Sequence, residues 1–255
     1  MVCGMNETSH PTAALPHITG NALHNRPLKY FDFMMAASVL ILVLSNVIGA
    51  SKSAVVTLPV IGELKFGAGV MFFPLGYLLG DVLTEVYGYA RARRCIWAGF
   101  TGLAFMVFMA TVVVALPPAQ GWGNQAAYET VFGQEWRIAL ASLLAFWAGD
   151  FVNCFVLAQL KLLTKGKMLW TRTIGSTICG QAVDSLIFYP LAFWNAEGFT
   201  HALVIQIALT NWFFKVTWEI LLTPLTYAVV GFLKRAEGLD VYDEGTNFTP
   251  FRTAV

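Results

Sequence analysis

Apolar residues in this chain come in long blocks, with little helical amphipathicity. Six stretches are continuous enough to cross a bilayer: Phe33–Ala50, Phe66–Tyr87, Cys95–Leu116, Ile138–Leu163, Thr173–Trp194 and Leu203–Leu233. A spanning helix needs roughly 20 mostly apolar residues, because each residue adds about 1.5 Å of rise across a hydrocarbon core about 30 Å thick. The last stretch is too long for one straight span. It is expected to begin at the interface or to kink near Pro224, whose ring removes a backbone hydrogen bond. Between the first two stretches, Ser53–Lys65 alternates weakly through Val55, Leu58 and Val60, which predicts a small hairpin at the outer surface. Met1–Leu28 is polar and holds Pro11, Pro16, Pro27 and three of the four histidines. It lacks the apolar run behind a basic start that marks a cleavable signal, and reads as a disordered tail.

Ionisable residues inside such stretches each cost roughly 2.5–3.5 kcal/mol on insertion scales, so each must face a partner or water. Asp81 and Glu85 stand four apart on one face of the second stretch, close to the basic YARARR segment that is expected to form a loop beside them. Asp150 and Asn153 lie in the fourth, and Gln181 and Asp184 in the fifth. Asn211, Lys215 and Glu219 form a stripe about 12 Å long in the sixth. Ser45 and Asn46 sit near the outer end of the first. Five carboxylates (Asp81, Glu85, Asp150, Asp184 and Glu219) thus face the single cation Lys215. Unscreened, they cannot all stay ionised in a low-dielectric bundle. Some must be protonated, or reach the basic rim of Arg91, Arg93, Arg94 and Lys161, or be neutralised by a cationic or proton-donating solute in a cavity. Structural pairing of Lys215 with Glu219 at i, i+4, and of Asp81 and Glu85 with the YARARR segment, is the plainer alternative. Asp150 and Asp184 have no opposite charge in their own stretches, which favours the cavity for them.

The composition narrows the class. The chain is 57% hydrophobic and 12% charged, against about 25% charged for a soluble domain. The net charge of +1 leaves no footprint for nucleic acid. Cys3, Cys95, Cys154 and Cys179 are scattered, so neither a disulfide framework nor a metal site is signalled. No HExxH, GxGD or Walker A motif is present, and none of His10, His17, His24 and His201 lies deep in a span. An intramembrane aspartyl hydrolase using Asp81, Asp150 or Asp184 is the least favoured reading, and no cofactor is expected.

With the N-terminus inside, twelve Lys/Arg residues fall on the cytoplasmic side and three (Lys52, Lys65 and Arg137) outside. That asymmetry orients an all-α integral membrane protein, a bundle of six transmembrane helices with both termini cytoplasmic. The expected organisation is a tail over 1–29, a transmembrane domain over 30–235 and a second cytoplasmic tail over 236–255. Gly99, Gly102, Gly175 and Gly180 suit close helix packing and leave a homodimer open.

The strings SNVIGASK (Ser45–Lys52), FPLGYLLGDVLTEVYGYARARR (Phe73–Arg94), WTRTIGSTICGQAVDSLIF (Trp170–Phe188) and FKVTWEILLTPLTYAVVGFLKRAEGLDVYD (Phe214–Asp243) resemble the queuosine precursor transporter family, also called the vitamin uptake transporter (VUT) family. The resemblance runs from about Tyr30 to the C-terminus, with Thr249 where family members usually carry an asparagine. It implies a six-helix protein of the bacterial inner membrane. Its substrate would be a small molecule, 7-cyano-7-deazaguanine or 7-aminomethyl-7-deazaguanine, imported for tRNA queuosine synthesis. The matching polar positions are Asn46, Asp81, Glu85, Asn153, Gln181, Asp184, Lys215 and Glu219, with Asp150 at an acidic position of the pattern. A carboxylate among them can accept both the ring N–H and the exocyclic amine of a deazaguanine. Gln181 or Asn153 would meet the ring carbonyl, and Tyr77 or Trp212 would stack on the base. A carrier for another small heterocycle or vitamin is the alternative. Energy-coupling-factor subunits dock through an AxxxA motif in the first helix. Here Ala36 and Ala37 are followed by Leu40 and Ile41, so no ATP-coupling module is expected.

Overall fold

The computed structural model describes residues 17–19, 26–49, 53–58, 62–67, 72–133 and 136–252. Its elements run β1 (His17–Thr19), α1 (Phe31–Gly49), β2 (Ser53–Leu58), β3 (Gly62–Gly67), α2 (Phe73–Tyr87), α3 (Tyr89–Ala115), α4 (Gln125–Phe132), α5 (Trp136–Leu163), α6 (Leu169–Phe193), α7 (His201–Glu237) and β4 (Asp240–Tyr242). Each expected apolar stretch overlaps a helix, the second only over the 15 residues of α2. The molecule is built inside-out relative to a water-soluble protein. Phe33, Leu186 and Phe213 are 73%, 70% and 63% exposed, while Asp81 and Glu85 are fully buried. In water that arrangement wastes apolar area, whereas in lipid it places hydrocarbon against hydrocarbon and hides the charges. Four segments are long and apolar enough to cross a membrane: Phe31–Ile48, Tyr89–Ala115, the Gln125–Leu163 stretch that contains α5, and His201–Glu237. This is an all-α membrane protein.

Several boundaries differ from expectation for identifiable reasons. The second stretch does not start as helix at Phe66, because Gly62–Gly67 pairs antiparallel with Ser53–Leu58 from Ser53↔Gly67 to Leu58↔Gly62. The alternation at Ser53–Lys65 is therefore a hairpin. α2 begins at Phe73, with Pro74 in its first turn where a missing N–H costs nothing. Its 15 residues reach about 22 Å. The YARARR segment is not a loop. Gly88 alone separates α2 from α3, at φ +82°, and the arginines occupy the first turns of α3. A Cβ at Gly88 would stand 2.9 Å from Val241 Cγ1, so the turn needs glycine for both conformation and space. The connection between α3 and α5 contains α4, and α7 runs through Pro224 without interruption for 37 residues.

Both chain ends are tied into the bundle. The expectation of a structureless tail over 1–29 does not hold for His17–Thr19, which pairs parallel with β4 from His17↔Asp240 to Thr19↔Tyr242. Residues 1–16 and 20–25 lie outside the described residues. Glu237, at the end of α7, accepts the Lys29 and Tyr30 amides (3.0 and 2.8 Å) and the Tyr87 hydroxyl (3.0 Å). That sets a carboxylate at the positive end of α1. Beyond Gly238, Leu239 and Val241 are fully buried. Asp243 accepts the Tyr89 amide at 3.1 Å, a side-chain cap for α3. Arg93 donates to the carbonyls of Asn247 and Thr249 at 2.8 Å, and Trp97 Nε1 donates to Pro250 O at 2.8 Å. Phe248 packs on Tyr89 and Phe155, and Phe251 on Trp97 and Trp147. Residues 239–251 thus form a strap across α3 and α5.

Candidate functional site

α5 and α6 lie against each other along much of their length, because glycine opens the contact. A Cβ at Gly180 would come within 2.7 Å of Asn153 Cβ, and one at Gly149 within 2.9 Å of Asp184 Cβ. Lipid supplies no hydrophobic drive between helices, so such close backbone approach is what holds a pair together. It also brings Asn153 and Asp184, each next to one of these glycines, into the bundle interior. With α2 and α7 packed alongside, the polar side chains form three tiers.

The lowest tier is a charge knot centred on Glu85. Arg172 of α6 grips it through Nη2 to Oε1 (2.9 Å) and Nε to Oε2 (3.2 Å). Lys234 of α7 stands 2.6 Å from Oε1, and Lys161 of α5 at 3.2 Å while also donating to the Glu85 carbonyl at 2.7 Å. Asp240 of the strap pairs with Lys161 (2.9 Å) and Lys234 (2.7 Å). The partners of Glu85 are therefore these three cations. Of the basic rim that the sequence offered, Lys161 does meet Glu85, whereas Arg93 donates to the strap and Arg91 lies over the Phe31 ring. Asp240 was missed altogether, since nothing local marks a lone aspartate beyond a helix as part of a buried network. It lies outside the spans. Burial pushes its carboxyl up, but Lys161 and Lys234 outweigh burial and hold it below the usual aspartate value.

The upper tier is a pair between Lys215 of α7 and Asp184 of α6. The ammonium lies 5.7 Å from the Phe73 ring and 5.8 Å from that of Tyr77, cation–π range for both. Asp150 stands beside them, in the field of Asp184 and Lys215. Lys215 thus reaches across to α6, and the i, i+4 pairing with Glu219 is not made. Trp212 Nε1 donates to the Ile178 carbonyl at 3.1 Å, which fixes that indole between α6 and α7. Asn46 sits apart, accepting from Ser142 at 3.3 Å on the α1–α5 side.

Between these tiers several buried polar atoms lack a hydrogen-bond partner among the described residues. Asn153 Nδ2 donates to Asp81 Oδ1 at 2.7 Å. Asp81 Oδ2, Asn153 Oδ1, Gln181 Oε1 and both oxygens of Glu219 have no hydrogen-bond partner among the described residues. All four side chains are at most 5% exposed, and Glu219, Asp150 and Glu85 all act electrostatically on Asp81. Thr177 and Ser185, also buried and unpartnered, flank Gln181 along α6. The sequence reading passed them over, although Thr177, Gln181, Asp184 and Ser185 recur at i, i+4, i+7 and i+8. Five of the open atoms belong to carboxylates and side-chain amide carbonyls, which accept and do not donate when ionised. Left unpaired in a buried site such atoms are costly, so this tier is built to receive hydrogen-bond donors.

Known proteins resemble this chain. The family model described as a putative vitamin uptake transporter matches residues 67–229, a stretch that includes the three tiers except Lys234 and Asp240. A probable queuosine precursor transporter of Bacillus subtilis is 31% identical over 183 residues, 70% of this chain and 77% of the relative. The queuosine precursor transporter of Escherichia coli is 27% identical over 64% of this chain and 71% of its own length. A probable queuosine precursor transporter of Haemophilus influenzae is 24% identical over 64% and 67% respectively. No solved structure matches. The family model's match over residues 67–229, together with the 31% identity to the Bacillus subtilis relative, places the chain: it belongs to the vitamin uptake transporter family.

Proposed function

We propose that the protein is a carrier of the bacterial inner membrane that imports queuosine precursors, 7-cyano-7-deazaguanine or 7-aminomethyl-7-deazaguanine, for tRNA modification. One observation carries the reading: the middle tier offers five buried acceptor atoms on Asp81, Asn153, Gln181 and Glu219 with no protein donor. A deazaguanine presents a ring N–H beside an exocyclic amine, a donor edge that one carboxylate accepts in full. A site built on such an edge rejects analogues that lack it, because its own buried groups would be left unpaired. The names of the relatives supply the substrate class. In this reading Asp81 and Glu219 hold the donor edge, Asn153 and Gln181 complete the ring, and Tyr77 beside Lys215 is the aromatic at its rim. The knot and the Lys215–Asp184 pair close the site below and above.

The spans are α1, α2, α3, α5, α6 and α7, with α4 and the β2–β3 hairpin outside. The twelve-to-three distribution of Lys and Arg supports cytoplasmic termini. Asp81 is engaged by an amide and Asp184 by an ammonium, so neither stands in the carboxylate dyad that aspartyl hydrolysis uses. The protein is read as a carrier and not as an enzyme.

The test is queuosine in tRNA from a strain that lacks both precursor synthesis and its own importer. Cells expressing this chain and fed 7-cyano-7-deazaguanine should recover the modification. Asp81→Asn at equal membrane expression should lose at least 90% of it (a loss of about 1.4 kcal/mol or more in recognition), while Gly80→Ala should not. Unmodified tRNA despite correct insertion of the unaltered chain sinks the assignment.

A further inference from the structure

The middle tier has an unbalanced charge, and the imbalance is concentrated at one residue. Asp81 receives a hydrogen bond from Asn153 and keeps a single open oxygen, whereas Glu219 receives none on either oxygen and is 1% exposed. The groups around it offer no compensation. From α2 comes Asp81, with Glu85 a turn beyond it already engaged by Lys161, Arg172 and Lys234. From α5 come Asp150 and the neutral Asn153, and from α6 the neutral Gln181, with Asp184 bound to Lys215. At the start of α3, Arg93 donates to strap carbonyls and Arg91 lies over the Phe31 ring of α1. Lys161, Arg172, Lys215 and Lys234 are each paired with another carboxylate among the described residues. A buried carboxylate without a donor or counter-charge is among the most costly groups a bundle can hold.

Building on the carrier reading, we infer that substrate crosses this site together with one net positive charge taken up at Glu219. That charge is either the substrate's own ammonium or a proton that accompanies a neutral heterocycle. Import is then electrogenic and drawn inward by an interior-negative membrane potential. An aminomethyl-bearing base supplies the cation itself: its ammonium pairs with Glu219 while Asp81 accepts from the ring edge. A cyano-bearing base supplies none, so a proton from outside binds Glu219, rides through with it and leaves on the cytoplasmic side. With the aminomethyl compound no covalent bond changes; with the cyano compound the only bond made and then broken is the O–H of the proton on Glu219, taken from external water and released to cytoplasmic water.

The experiment uses the full chain in proteoliposomes, with a potassium gradient and valinomycin setting the potential. Uptake of 7-aminomethyl-7-deazaguanine and of 7-cyano-7-deazaguanine is followed with a pH-reporting dye in the external medium. One charge moving through about 100 mV, interior negative, supports accumulation of about fifty-fold. Both compounds should show potential-driven accumulation approaching that ratio, with external alkalinisation only for the cyano compound. Glu219→Gln should remove both the potential dependence and the pH change for the cyano compound. Equal uptake with and without the potential, for both compounds, overturns the inference and leaves the carrier reading standing. Absence of uptake of either compound at any potential overturns the carrier reading and the inference with it. The unaltered protein decides between these outcomes, so the result does not depend on the variant folding.

Discussion

A single residue, Glu85, joins four helices and the strap, and its surroundings give a sharp expectation. Removing one partner from a buried ionic network leaves the others uncompensated, at a cost of about 3–5 kcal/mol. Glu85→Gln would leave Lys161 and Lys234 sharing Asp240 and Arg172 without its carboxylate, and detergent-purified protein should melt many degrees lower. An unchanged midpoint would show that the knot does not hold the helices. Glycines make the complementary case. Gly80 and Gly180 both lie inside helices, but a Cβ at Gly80 meets nothing within 4 Å while one at Gly180 runs into Asn153 Cβ at 2.7 Å. Gly80→Ala should therefore be neutral or add about 0.5–1 kcal/mol through its helix preference, whereas Gly180→Ala should lower both the melting midpoint and the folded yield. Equal behaviour of the two variants in a thermal-stability assay would contradict the α5–α6 packing. At this scale the sequence shows which residues are expensive but not whom they meet. Lys215 and Glu219 at i, i+4 satisfy the local spacing rule, yet a long flexible ammonium also reaches a neighbouring helix, and Asp184 sits there.

At the scale of elements, the long helices were legible because a bilayer demands long apolar runs and leaves few alternatives. The features that escaped have no such signature. A one-residue break at Gly88 is invisible to any averaged hydropathy, and the segment after it is both basic and helical, so it reads as a loop. β1 and β4 are 3 residues each and pair over more than 200 positions of sequence, too short and too distant for a periodic pattern. The strap that contains β4 yields a pH-dependent expectation outside the membrane. Asp240 is held below its ordinary value, because Lys161 and Lys234 overcome the effect of burial. At Asp243 burial prevails over the Tyr89 amide and the Thr246 hydroxyl, and the carboxyl sits above its ordinary value. The lowered group contributes stability above about pH 4 that is lost as the pH falls through its folded value. The raised group contributes below about pH 4, and that contribution is lost as the pH rises through its folded value. Melting midpoints between about pH 3 and 7 should thus lose acid sensitivity in Asp240→Asn and gain it in Asp243→Asn. Parallel curves for both variants and the parent protein would refute this.

For the whole molecule, the carboxylates, amides and cations are collected along one interior axis where α2, α5, α6 and α7 meet, and the outer surface is left to hydrocarbon. The lower tier of that axis is filled with partners, the upper holds the Lys215–Asp184 pair, and the middle keeps open acceptors, which is the ground for proposing it as the place for a passing solute. The sequence displayed the surplus of acid but not its distribution, because only the fold shows that Glu85 and Asp184 are matched while Glu219 is not. The strap has one more consequence, in time. A ribosome delivers Lys234 in the last turn of the final helix and Asp240 just after it, so Glu85 waits through nearly all of synthesis with its last cation missing. A chain truncated before residue 234 would carry most of α7 and still lack one cation of its central knot.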